Sequence, residues 1–354
     1  MTDLTRSRRR ALVVVPVVLM VLAAACGGDK KKAPAETTIA TTTTTLPPIA
    51  PLTGRFVTDP ALVGRPSLAV KIDNNADARP QAGIELADVV YEEVTEGITR
   101  FVTVFQSQNV DQIGPVRSVR PADPLIVDPL GGLFVFSGGS PAAVALVTGA
   151  GLATATENDT AALKRRSSRR APHNLYTSTA DLYALPQTQG LPAPPPLAQF
   201  LKQGETFAAA GAVPTLTIEV PIAPNIKADY AWDAPATAWK RSTNGDPHLL
   251  ENNAQIGPQN VIVQFAPYSR FAEDAKVTYP EVIGTGEAWI FANGMLAQGK
   301  WSKPAASAVT AFTDAAGAPI VLPPGQTFVE LVAPGTTIST TGPPPPAAPT
   351  TTTP

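Results

Sequence analysis

Arg117, Arg120 and Arg170 lie in loops dense in proline and glycine, where a restricted backbone can aim a side chain. The planar guanidinium fork matches phosphate or carboxylate two donors at a time. Gly138-Gly139-Ser140 precedes Pro141 and an alanine-rich run, which marks a helix start whose amide groups suit an anion. The candidate ligand-binding set is Arg79, Arg117, Arg120, Asp123, Ser140, Arg170, His173 and Asn174. Convergence of these residues predicts an electropositive pocket on an acidic protein. A second use stays open, in which the arginines pair with Asp73, Glu92, Glu93, Glu96 and Asp123 as structural bridges. His173, in Pro172-His173-Asn174, fits a general base or ligand contact, and equally a loop histidine oriented by backbone. Asp73 with Asn74, or Glu92 with Glu93, carries oxygens of the kind Mg²⁺ or Ca²⁺ takes. Glu92 and Glu93 face opposite sides of an alternating strand, so no metal site is expected and no cofactor is implied.

Other chemistries are excluded by composition. Cys26 is the single cysteine and His173 and His248 are the two histidines, which leaves no thiolate or multi-histidine metal site. There is no Walker loop, dinucleotide fingerprint, His-Glu-x-x-His or Gly-x-Ser-x-Gly elbow. Arg6, Arg8, Arg9 and Arg10, then Ala11 to Leu22, then Ala23-Ala24-Ala25-Cys26-Gly27 have the layout of a lipoprotein signal peptide over residues 1–25. The apolar run of about fifteen residues falls short of the roughly twenty that span a bilayer. Lipidation at Cys26 is therefore expected, and with it an extracytoplasmic chain held to the membrane by lipid. Leu22 stands four residues before the cysteine, one further than the best lipobox. Removing residues 1–25 leaves 23 basic against 28 acidic side chains, a weakly acidic balance that argues against nucleic acid as a partner.

The elements that must position these residues follow from texture. Residues 26–50 and 334–354 are rich in Thr and Pro and read as a disordered tether and tail. Residues 51–190 mix strand and helix signals, predicting an α+β or α/β first domain. Strands are expected at Ser67–Ile72, Ala87–Glu93, Thr99–Gln106 and Leu133–Phe136, with Glu96-Gly97 as a turn. Helices are expected after Ser140, and from Thr177 or Ser178 through Leu185. Residues 191–214 read as a connection holding a short helix, Leu197 to Lys202. Residues 215–333 predict an all-β second domain with hairpin turns at Asn244-Gly245 and Asn293-Gly294. All four tryptophans, Trp232, Trp239, Trp289 and Trp301, fall there, as core or as a saccharide platform.

Four polar runs exceed what packing requires: Lys71-Ile72-Asp73-Asn74, Ala78 to Gly83, Gly114 to Asp123, and Arg170 to Tyr176. Together with Pro51-Leu52-Thr53-Gly54, Ala87 to Glu93 and Phe136 to Ser140, the first domain resembles the YerB-like lipoprotein family, domain of unknown function 3048. Asn260 to Gln264, Gly284-Thr285-Gly286, Gly299-Lys300-Trp301 and Leu322 to Thr327 resemble the C-terminal module of that family. The resemblance covers about Pro51 to Val332. It implies a two-domain, membrane-tethered envelope protein and brings no catalytic residues with it.

The reading that results is a non-enzymatic envelope lipoprotein that binds an anionic ligand or partner, a cell-wall glycan or an envelope protein. Its alternative is a phosphotransferase or hydrolase acting on a phosphate-linked glycan or lipid-pyrophosphate substrate. A third is an interaction module whose β-rich part carries the partner surface.

Overall fold

The computed structural model describes residues 47–343. The expected signal peptide, Cys26 and most of the tether and tail lie outside them. Strands dominate, and every helix of the described residues lies before residue 190. β1 (Leu68–Asp73), β2 (Val89–Thr95), β3 (Ile98–Phe105), β4 (Leu133–Val135) and β5 (Ala153–Ala155) form one end of an eleven-stranded sheet. All six residues of β1 are buried, as expected of a strand covered on both faces.

Thr327–Val332 lies parallel to β2 on one side and to Asn260–Phe265 on the other. Beyond Asn260–Phe265 come Gly284–Ala292, Met295–Lys303 and Ala311–Asp314. Residues from both expected domains thus share a single sheet. A second sheet, of five strands, runs Asp246–Pro247, Ala238–Thr243, Ile226–Asp233, Thr217–Ala223 and Ser339–Thr341.

Local signals explain the hairpins. Glu96-Gly97, Asn244-Gly245 and Asn293-Gly294 all have positive φ and each joins two antiparallel strands, as two-residue turns require. Ser140 caps the helix Pro141–Gly149 by accepting from Ala143 N at 3.2 Å, and Ser178 caps Thr179–Tyr183.

Three local expectations are corrected. Gln199–Phe200, within the expected helix Leu197 to Lys202, is a short strand paired in parallel with Val321–Leu322. Leu197 is buried in the core there, and the backbone is committed to neighbouring segments, with Leu197 N donating to Pro51 O at 3.0 Å and Leu201 N to Leu322 O at 2.9 Å. The folded chain also passes both expected boundaries. Ile49 bridges Phe56, and Ser339–Thr341 adds an edge strand to Thr217–Ala223.

The tryptophans divide between core and rim. Trp239 and Trp301 are buried, Trp232 stacks at 5.1 Å on Trp239, and Trp301 Nε1 donates to Phe265 O at 2.8 Å. This is cross-strand packing, with Trp232 and Trp289 half-buried.

Candidate functional site

The end of β1 gathers the four polar runs. Residues 115–117 lie along it, with Asp73 N donating to Pro115 O at 3.0 Å and Arg117 N to Lys71 O at 2.9 Å. Residues 175–177 flank them in turn, since Val116 N donates to Leu175 O at 2.7 Å. This stacking carries Arg117 and His173 to the Asp73 carboxylate. Arg117 Nε lies 2.9 Å from Asp73 Oδ2, an ion contact whose N–H is not aimed as a hydrogen bond. His173 Nδ1 lies 2.8 Å from the same oxygen. Among the described residues, neither Nη of Arg117 nor Nε2 of His173 has a protein partner, and both side chains reach solvent.

The hairpin at Glu96-Gly97 adds a residue that sequence reasoning missed. Thr95 opposes Ile98, so Arg100 stands opposite Glu93 on β2 and opposite Asp73 on β1. That register was readable from the two-residue turn. Arg100 is 3% exposed, its Nη2 meets Glu96 at 3.6 Å, and its Nε and Nη1 have no protein acceptor. Burial, together with Arg120 and Arg117, lowers its pKa to about 10. Lys71 bridges Glu93 at 2.5 Å and Asp123 at 2.7 Å. Burial lifts the Glu93 carboxyl to about 7, with Lys71 opposing and Asp123 adding to the rise.

The other predicted residues fall around this centre or away from it. Arg120 Nη2 pairs with Glu96 at 2.7 Å, and its backbone N donates to Asp123 Oδ2 at 2.6 Å. Arg79 donates to Asn74 Oδ1 at 3.2 Å and Asn74 O at 3.0 Å, one residue beyond Asp73. Ser140 serves as the helix cap. It lines a cleft of about 250 Å³ with Arg120, Phe271 and Val277, but also with Glu96 and Asp274. That cleft is lined by charges of both signs, and of the predicted residues Arg117 and His173 are the two that meet at Asp73. Asn174 belongs to another pairing, accepting from Arg165 Nη1 at 2.8 Å. The exposed Arg170 makes no side-chain hydrogen bond or ion pair among the described residues. Its backbone O accepts from His173 N at 3.0 Å, which shapes the loop.

The opposite face of the same strands holds a second network. Arg241 Nη2 donates to Glu92 Oε2 at 2.6 Å, and its Nη1 reaches Thr243 Oγ1 at 2.8 Å and His248 Nδ1 at 2.5 Å. Tyr230 donates to Glu330, whose carboxyl is pushed well above its ordinary range by burial and by Glu92. His248 Nε2 lies 2.9 Å from Gln81 Oε1. Burial first, then Arg241 and Arg79, hold that imidazole neutral, its pKa well below the usual value. Glu92 and Glu93 therefore serve separate networks, as their alternation predicted. No group of three or more His, Cys, Asp or Glu among the described residues is placed to hold a metal ion.

Known proteins resemble this chain along most of its length. The family described as Protein of unknown function (DUF3048) N-terminal domain matches residues 52–191, and its C-terminal domain matches residues 218–329. A Bacillus subtilis (strain 168) protein named as a candidate lipoprotein, YerB, is 29% identical over 290 residues, 80% of this chain and 86% of that protein. The crystal structure of YerB from Bacillus subtilis superposes with a TM-score of 0.71 at 26% identity, covering 82% of this chain and 99% of that one.

Proposed function

From a chain that belongs to the DUF3048 family through both its N-terminal and its C-terminal domains, we propose an envelope lipoprotein, anchored at Cys26, that binds an anionic ligand at Asp73. Its two parts are an α+β segment over residues 51–190 and an all-β segment over residues 215–333, fused through one sheet. Likeness to a protein named as a lipoprotein supports the anchor, as does the signal pattern ending at Cys26. No helix of the described residues is long and apolar enough to cross a membrane.

One observation carries the ligand class. Asp73 Oδ2 makes an ion contact with Arg117 at Nε, 2.9 Å away, and neither Nη group has a protein acceptor among the described residues. A guanidinium held this way has already lost much of its side-chain freedom, and a bidentate oxyanion gains the remaining donors at low entropic cost. Arg100 supplies further positive charge from beneath, with two donors lacking protein partners. Phosphate groups of cell-envelope glycans or lipids are ligands of the right chemistry.

Calorimetry with inorganic pyrophosphate tests this reading. Arg117→Ala should weaken binding at least about tenfold, the loss of one charge-assisted bidentate contact. Equal affinity in the two proteins would end the assignment. The anchor is checked separately: Cys26→Ser should move the protein from the membrane fraction to the aqueous one.

A further inference from the structure

His173 brings a lone pair to a site that otherwise presents donors. A carboxylate only accepts hydrogen bonds, so the 2.8 Å contact with Asp73 Oδ2 puts the imidazole proton on Nδ1. Nε2 of the neutral ring is then an acceptor, and no described residue satisfies it. Because the same oxygen also holds Arg117 Nε at 2.9 Å, lone pair and guanidinium fork are fixed relative to one another by a single atom. A bare oxyanion would be attracted by the fork and repelled at Nε2. A water molecule beside a bound phosphate would meet no such conflict, with a hydrogen toward Nε2 and its oxygen toward phosphorus. A carboxylate-oriented imidazole next to an arginine is the arrangement general-base attack needs.

The surrounding acids restrict the leaving group. Glu96 is tied to Arg120 and Arg100, Asp123 to Lys71 and the Arg120 amide, and Glu93 to Lys71. Asp73 itself is held by Arg117 and His173. Glu93, whose pKa is raised to about 7, is buried against Lys71 with its side chain 1% exposed, so among the described residues of the cluster no unpaired acid faces solvent to protonate a leaving group. An alkoxide departs poorly without a proton, whereas a phosphate departs as a stable anion.

We propose that this site hydrolyses a phosphoanhydride. Water oxygen bonds to phosphorus while His173 Nε2 takes its proton. The bridging P–O bond breaks, and its electron pair leaves on the departing phosphate. Arg117 carries the charge on the non-bridging oxygens. One diphosphate and one water give two phosphates, and His173 then returns its proton to solvent. Asp73 is a positioning residue that fixes the tautomer. The activity rests on the anion site proposed above.

The experiment uses the full chain in detergent, with phosphate release from inorganic pyrophosphate as one readout. Calorimetry with imidodiphosphate, the nitrogen-bridged analogue, is the other. Wild type should release phosphate from pyrophosphate. His173→Gln should lower turnover roughly 10²–10⁴-fold, the range for a lost general base, while imidodiphosphate affinity changes by less than about threefold. Asp73→Asn should lower kcat more than it raises KM, as loss of a positioning residue does. Imidodiphosphate binding with no phosphate release above the His173→Gln background overturns the activity and leaves the binding site standing. Absence of binding removes both, and turnover that survives in His173→Gln removes the assignment to His173.

Discussion

Two charged clusters occupy opposite faces of β1, β2 and β3, and they use the same residue types differently. On one face Arg241 is buried, engaged by Glu92, Thr243 and His248, and His248 has partners on both ring nitrogens. On the other, Arg117 and His173 are each held by one nitrogen and leave the rest unpartnered, while Arg100 lacks acceptors for two of its donors. The first arrangement neutralises charge inside a core. The second leaves donors without protein acceptors among the described residues. A histidine or arginine in this molecule is thus classified by how many of its nitrogens are already occupied.

The largest expected effect lies in the closed cluster. Arg241→Ala leaves Glu92 as an uncompensated buried charge and should cost about 3–5 kcal/mol in urea unfolding. Next comes a contrast in pH dependence. The folded pKa of Glu93 is raised to about 7 from 4.5, so the stability it contributes is fully present below 4.5 and is lost as pH rises through about 7. The full loss is up to about 3 kcal/mol, and Glu93→Gln should flatten that limb. For His248 the sign is opposite. Its folded pKa is depressed, so its contribution is present above about 6.5 and fades as pH falls below that value. His248→Gln should flatten the acid limb only, again by unfolding at a series of pH values.

Smaller effects belong to the open cluster. Arg117→Ala should change stability by less than about 1 kcal/mol, because Asp73 keeps its contacts with His173 and the Asn75 amide, while weakening pyrophosphate binding at least about tenfold. A large destabilisation there would make the two clusters alike and dissolve the contrast. Smallest of all, Glu96→Asn suits the positive φ at that turn better and should shift stability by only a few tenths of a kcal/mol. It also frees Arg120 and should tighten pyrophosphate binding, read by the same calorimetry.

Local signals survived into the structure, and distant pairings did not announce themselves. The turns at Glu96, Asn244 and Asn293, the caps at Ser140 and Ser178 and the opposed faces of Glu92 and Glu93 all depend on residues a few positions apart. Arg117, Arg120 and His173 stood out because polar residues in Pro-rich loops need a reason. Arg100 did not, since one arginine in an alternating strand looks like a solvent-facing position until its partners across the sheet are known. The link from Arg241 to Glu92 spans 149 residues, beyond what any local pattern encodes. The shared sheet was hidden for the same reason, with each of its halves reading as a self-sufficient texture.

That shared sheet bears on how the chain comes to be folded at all. β2 pairs on one side with β3 through a local two-residue turn, but on its other side with Thr327–Val332, from the far end of the folded chain. Until residue 332 is available, an apolar strand edge between Val89 and Glu92 stays open to any other extended segment. Cutting the chain between the two matched family regions therefore does not yield two miniature proteins. It yields one fragment with a sticky edge and another with a strand that has lost its neighbour.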